Sequence, residues 1–112
     1  MKNITNKSRE LNNQELYLLT MSPKTESLKN HVGERIDVSA WAIFEDVDKK
    51  SGAVHEVLSV LTPDNEVFSS ISPTFQNDFL DMAELFHNDF AFEVISGMSK
   101  AGREFITCAL AI

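Results

Sequence analysis

A chain of 112 residues, 43% of them hydrophobic, can bury one small core and leaves too little material for a second domain. Its formal charge of -7 excludes a protein that coats duplex DNA through an overall positive field, while leaving room for a local basic site. No apolar run approaches the ~20 residues needed to span a bilayer, and the polar start MKNITNKSRELNNQ lacks an apolar signal segment, so a soluble intracellular protein is expected.

Residues 1–12 are polar and Asn-rich, which predicts a mobile N-terminal arm ahead of one domain spanning 13–112. QELYLLTM, from Gln14 to Met21, reads as a short strand in which Tyr17 has no clear phase. SPKTESLKNHVGE, with Pro23 and Gly33, reads as loop with room for one helical turn. Arg35 to Gly52, RIDVSAWAIFEDVDKKSG, reads as a strand ending in a turn. Read with a period of two, it puts Ile36, Val38, Ala40 and Ala42 on one face and Arg35, Asp37, Ser39 and Trp41 on the other. The one tryptophan of the chain therefore falls on the polar side.

AVHEVLSVLT is rich in β-branched and apolar residues and is the expected antiparallel partner. PDNE then forms a tight turn into the strand EVFSSIS. SPTFQNDFLDMAELFHND carries a helix signal, with Ser72 as N-cap, Pro73 in the first turn, and Phe75, Phe79, Met82 or Ala83, and Phe86 at helical spacing. Its solvent face is Gln76, Asp78, Asp81 and Glu84. FAFEVISG and REFITCALAI form a closing hairpin around GMSKAG, with Phe90, Phe92 and Val94 on one face of the first strand. On the second strand Ile106, Cys108, Leu110 and Ile112 share a phase, leaving Phe105 and Thr107 outward. A single cysteine has no internal disulfide partner, so Cys108 reads as a buried small hydrophobe.

This order predicts a mainly β domain: an OB-fold, a five-stranded Greek-key barrel with one helix between strands 3 and 4, plus a short N-terminal strand. An α+β sandwich of another topology is the alternative. On the barrel, Lys49 and Lys50 fall in the loop between the first two strands, and Lys100 and Arg103 in the loop between the last two. These are the loops that flank an OB-fold groove. From Ser51 to Ser99 there is no Lys or Arg, while Glu56, Asp64, Glu66, Asp78, Asp81, Glu84, Asp89 and Glu93 lie there, so basic lips on an acidic body are expected.

Single-strand binders pair such lips with aromatic faces, because every base has a π-surface on which a ring can stack. Trp41, Phe68 and Phe105 all fall on the predicted solvent phase of their strands. His55 lies on the second strand in a phase that alternation leaves open. Catalytic motifs are weak: GMSKAGRE has P-loop-like glycines, but Arg103 and Glu104 stand where Lys and Ser or Thr are needed. His31, His55 and His87 follow no zinc pattern, and neither a metal nor another cofactor is expected.

Together, SLKN, Gly33 with IDVSAWAIF, LTPDNEVFSSIS before an acidic helix, and SGMSKAG before a strand of alternating apolar residues carry a resemblance. Over roughly residues 27–112 the chain resembles the single-stranded DNA-binding proteins of small tailed phages of Gram-positive bacteria with protein-primed DNA replication. The resemblance implies an OB-fold without enzymatic activity that coats displaced strands during viral DNA replication in the cytoplasm of the infected host. It also implies aromatic stacking near the end of the first barrel strand and in the third, positions that match Phe44 and Phe68. The family's usual tyrosines are phenylalanines here, which keeps the stacking face and loses the hydroxyl. Phe44 shares the apolar phase of Ala42, so it reaches a groove only if the strand carries a bulge.

The first hypothesis is thus a sequence-tolerant single-stranded DNA binder, with phage replication proteins as further partners and no membrane or small-molecule substrate. Phosphates would meet Lys49, Lys50, Lys100, Arg103 and Arg35; bases would meet Trp41, Phe44, Phe68, Phe105 and His55. With no acidic tail after Ile112, partner recruitment is expected to use the barrel or the N-terminal arm. A second hypothesis, motivated by the charge, is an acidic phage protein-binding module that mimics DNA or inhibits a host nuclease. A third is a metal nuclease using Glu45, Asp46 and Asp48.

Overall fold

The structure is a computed structural model and describes residues 2–111. Among these, eight strands and two α-helices follow in the order β1 (Ile4–Lys7), α1 (Asn13–Met21), β2 (Glu26–Ser27), β3 (Arg35–Asp37), β4 (Ala40–Val47), β5 (Val54–Leu61), β6 (Val67–Ser70), α2 (Pro73–Leu85), β7 (Ala91–Met98) and β8 (Glu104–Leu110). A 3-10 turn, Leu28–Asn30, follows β2. Five strands form one sheet in the order β1-β4-β5-β6-β2, and three form another in the order β3-β7-β8. The architecture is mainly β, with two sheets and two helices. It is not a closed barrel: among the described residues β8 pairs with β7 alone, and β6 with β5 and the two residues of β2.

The stretch Arg35 to Val47, expected as one strand, is two strands in different sheets. Val38 N–H donates to Phe90 O of one sheet at 3.2 Å, and the next amide, Ser39 N–H, donates to Leu61 O of the other at 2.8 Å. The bend between them shifts the alternation by one residue. Before it Ile36 faces the core; after it Trp41 and Ile43 do, together with Leu58, Val60 and Phe68. Alternation has no fixed origin, so a one-residue irregularity exchanges the faces of everything downstream.

The even-numbered face of β4 is buried as well, because α1 covers it. Leu19 of α1 packs with Ala40, Ala42, Leu61 and Val67 in a second apolar cluster. α1 occupies the segment expected to be a strand. Its nucleus is a capping box: Asn12 Oδ1 accepts from Glu15 N–H at 2.8 Å, and Glu15 Oε1 accepts from Asn12 N–H at 3.0 Å. Arg9 donates to both Glu15 carboxylate oxygens, and these bonds with the Asn12 amide hold the Glu15 carboxyl down at about 2, so it stays charged through mild acid. Part of the expected mobile arm is ordered too: Ile4–Lys7 pairs antiparallel with β4.

α2 forms as its pattern predicts. The Ser72 hydroxyl accepts from Phe75 N–H, Pro73 opens the first turn, and Phe75, Phe79 and Ala83 are buried. Phe79 meets Trp41 edge-on at 5.8 Å between centroids and Phe92 at 5.5 Å. Gln76, assigned to the solvent face, is instead buried, where its Nε2 donates to Glu56 O at 2.9 Å and Ser70 O at 3.0 Å. Thr107, expected outward, donates to the Asp78 carboxylate, which ties β8 to α2.

Cys108 is buried against α2 as expected, and burial, with the nearby Asp78 charge, pushes its thiol up to about 12. Native protein at pH 8 should therefore resist a thiol reagent that labels the unfolded chain at once, and fast native labelling would contradict this. Below the ordinary thiol value near 9.0 both folded and unfolded chains hold the neutral thiol and the shift costs nothing; as pH rises from there toward 12 the unfolded chain ionises first, so stability falls. Ile112, the last member of that apolar row, lies outside the described residues.

Candidate nucleic-acid interface

Two hairpins carry the cations singled out in the sequence. At the β4–β5 tip, Asp48 Oδ1 accepts from Lys50 N–H at 2.8 Å and Ser51 N–H at 3.4 Å, and Gly52, at φ +72°, closes the turn. The same amides lower the Asp48 carboxyl below its usual range. The turn points Lys49 and Lys50 into solvent. At the β7–β8 tip, Ser99 N–H donates to Arg103 O at 2.8 Å, Gly102 takes φ +79°, and Lys100 and Arg103 are exposed.

The ten Lys and Arg residues sort into two groups. Lys2 pairs with Asp46 at 3.3 Å, Lys7 with Glu10 at 3.4 Å, Arg9 with Glu15 at 2.6 Å and Arg35 with Asp37 at 3.3 Å. Lys24, Lys29, Lys49, Lys50, Lys100 and Arg103 have no carboxylate partner among the described residues. Arg35, expected to meet phosphate, is exposed and shares its charge with Asp37 in a surface pair.

Phe105 is the exposed aromatic of this region, at 38% exposure, as alternation predicts. Its ring rests on Gly97, its cross-strand partner, where an added Cβ would stand 2.7 Å from the ring. A glycine at this position lets an aromatic ring lie down on the sheet. Phe105 lines a groove of about 610 Å³ that runs along the unpaired seam between β6 and β8, with Lys29, Asn30, Ser70 and Ile71.

A second groove, of about 530 Å³, lies on the α1 side of the five-stranded sheet. Phe44, Val57, Ser59 and Ser69 belong to its sheet wall, Thr20 and Met21 come from the end of α1, and Lys2 and Asp46 also border it. Lys2 Nζ sits 5.1 Å from the Phe44 ring centroid. Both grooves include Ser69 and Ile71, so they meet at the end of β6, where Ile71 is 64% exposed.

Of the other four predicted base contacts, Trp41, Phe68 and Phe44 are corrected by burial. Trp41 is 4% exposed: its indole N–H donates to Asn88 Oδ1 at 3.0 Å, and its ring faces the core because of the bend at Val38–Ser39. Phe68 is 5% exposed in the same core, with the His31 ring edge-on at 4.9 Å. Phe44 is 4% exposed and faces the α1 side. The bulge that was to present Phe44 is not in β4, whose register with β5 runs unbroken from Ala40↔Leu61 to Val47↔Val54; the shift lies in β1, between Ile4 and Asn6. His55 is exposed, opposite Asp46.

Lys29, Ser59 and Ile71 escaped the sequence reading as site residues. The signal for Lys29 was present in SLKN; that for Ser59 and Ile71 was not, since it depends on which strands meet. The chain matches no protein-family model, no curated protein and no solved structure.

Proposed function

We propose that this protein binds single-stranded DNA without strong sequence preference and coats displaced strands during replication, as the phage family it resembles does. The observation that carries this reading is the sorting of the cations. On a chain of charge -7, the uncompensated ones include those of both hairpin tips and the Lys29 beside Phe105. A cation left without a carboxylate is available to a phosphate, and a ring lying on the sheet is available to a base. Duplex DNA, with its denser charge, is disfavoured by the acidic remainder.

The OB-fold reading is part of the same proposal. It is supported by a bent segment, β3 and β4, shared between two sheets, a hairpin from β4 through β5 to β6, a helix before β7, and a closing β7–β8 hairpin. The seam between β6 and β8 is where such a barrel would close, and here it carries the Phe105 groove. On this reading the protein has no catalytic role and uses no cofactor.

Fluorescence anisotropy with labelled oligothymidine tests the proposal directly. Phe105→Ala should weaken binding by about tenfold, within the ~1–3 kcal/mol of one base stack. Undiminished binding by the variant would remove Phe105 from the interface. Failure of the wild-type protein to bind at low salt would end the proposal and favour the acidic protein-binding module.

A further inference from the structure

The Ser59 hydroxyl is the one buried side-chain nitrogen or oxygen without a hydrogen-bond partner among the described residues. It belongs to a fully buried residue on β5, between Ala42 of β4 and Ser69 of β6, and contributes to the α1-side groove. Two threonine hydroxyls of the same groove are committed elsewhere. Thr20 Oγ1 donates to Leu16 O at 2.7 Å and Thr25 Oγ1 to Ser22 O at 3.0 Å. A buried polar group left unsatisfied costs stability, whereas an apolar replacement of the same shape costs little, so alanine would serve the free protein at least as well.

From this we infer that Ser59 hydrogen-bonds the edge of one base of a bound strand, a subsite that rests on the single-strand-binding reading and adds base discrimination to it. The groove suits a base: the half-buried Val57 and the exposed Ile71 offer apolar surface beside a hydroxyl that can donate or accept. It joins the Phe105 groove at Ser69 and Ile71, so one strand can run from one to the other. Ser59 is covered in the free protein, and the base reaches it by displacing part of the groove wall. Met21, unbranched and 60% exposed, is the wall residue best able to move.

Ser59→Ala tests this with two probes, oligothymidine and an abasic oligomer of the same length, together with urea denaturation. The variant should bind oligothymidine about tenfold more weakly, the worth of one hydrogen bond of about 1.4 kcal/mol, and bind the abasic oligomer as wild type does. Its denaturation midpoint should be unchanged or higher. Equal oligothymidine binding by variant and wild type would overturn the subsite and leave the proposed function standing. A lowered midpoint would overturn it too, by revealing a partner for the hydroxyl within the protein. If wild type bound neither probe, the underlying function would fall first.

Discussion

Replacing Lys49, Lys50, Lys100 and Arg103 together by glutamine should lower affinity for oligothymidine by about two to three orders of magnitude at roughly 50 mM salt. Each phosphate neutralised on a single strand adds about -0.7 to the slope of log K against log salt. With these four and Lys29 engaged, the wild-type slope should be about -3.5, and affinity should fall roughly a hundredfold between about 50 and 200 mM salt. The variant, left with Lys29, should have a slope of about -0.7 and lose roughly threefold. All four residues are exposed and none forms an ion pair among the described residues, so the urea midpoint should not move. A variant with the wild-type slope would show that the strand is held elsewhere.

Trp41→Ala should cost about 3–5 kcal/mol, the range for removing a large aromatic from a core, out of the ~5–15 kcal/mol that holds a domain of this size. The indole packs edge-on against Phe79, and its N–H satisfies Asn88, whose own Nδ2 donates to Ser8 O at 3.1 Å. The substitution thus opens a cavity where β4, α2 and the end of β1 converge. Urea denaturation should show the loss as a lower midpoint. The same burial has an optical consequence, because Trp41 is the sole source of tryptophan fluorescence. Emission should be blue-shifted in the free protein and change little on addition of oligothymidine, while anisotropy reports binding. Strong quenching would mean that Trp41 meets a base, against its position in the core.

The hairpin cations and Trp41 differ in how far the sequence alone places them. The hairpin cations are legible because turn chemistry is local: Asp48 with Gly52 and Ser99 with Gly102 build their turns within a few residues. α2 is legible for the same reason, its cap, its proline and its aromatic stripe all lying within one segment. α1 was equally local. Its Asn12–Glu15 capping box stood in the sequence, but the apolar run QELYLLTM masked it as a strand.

Trp41 belongs to another category. Its environment depends on a bend at Val38–Ser39 whose two amides bond to different sheets, and on a helix that buries the opposite face of β4. With both faces covered, hydrophobic alternation no longer marks which side is the core. Phe68 is buried for the same reason, whereas Phe105, on a strand with one open face, lies outward as alternation predicts.

By itself the sequence determined the mainly β character, the second helix, the two cationic turns and the acidic stretch between them, because each is written in the residues of short segments. Only the tertiary structure decided which aromatics are available, which cations are already paired and where the grooves meet. Those properties arise between residues far apart in the chain: Trp41 with Asn88, Gly97 with Phe105 across a hairpin, and Lys29 and Ile71 beside the seam that β8 leaves open.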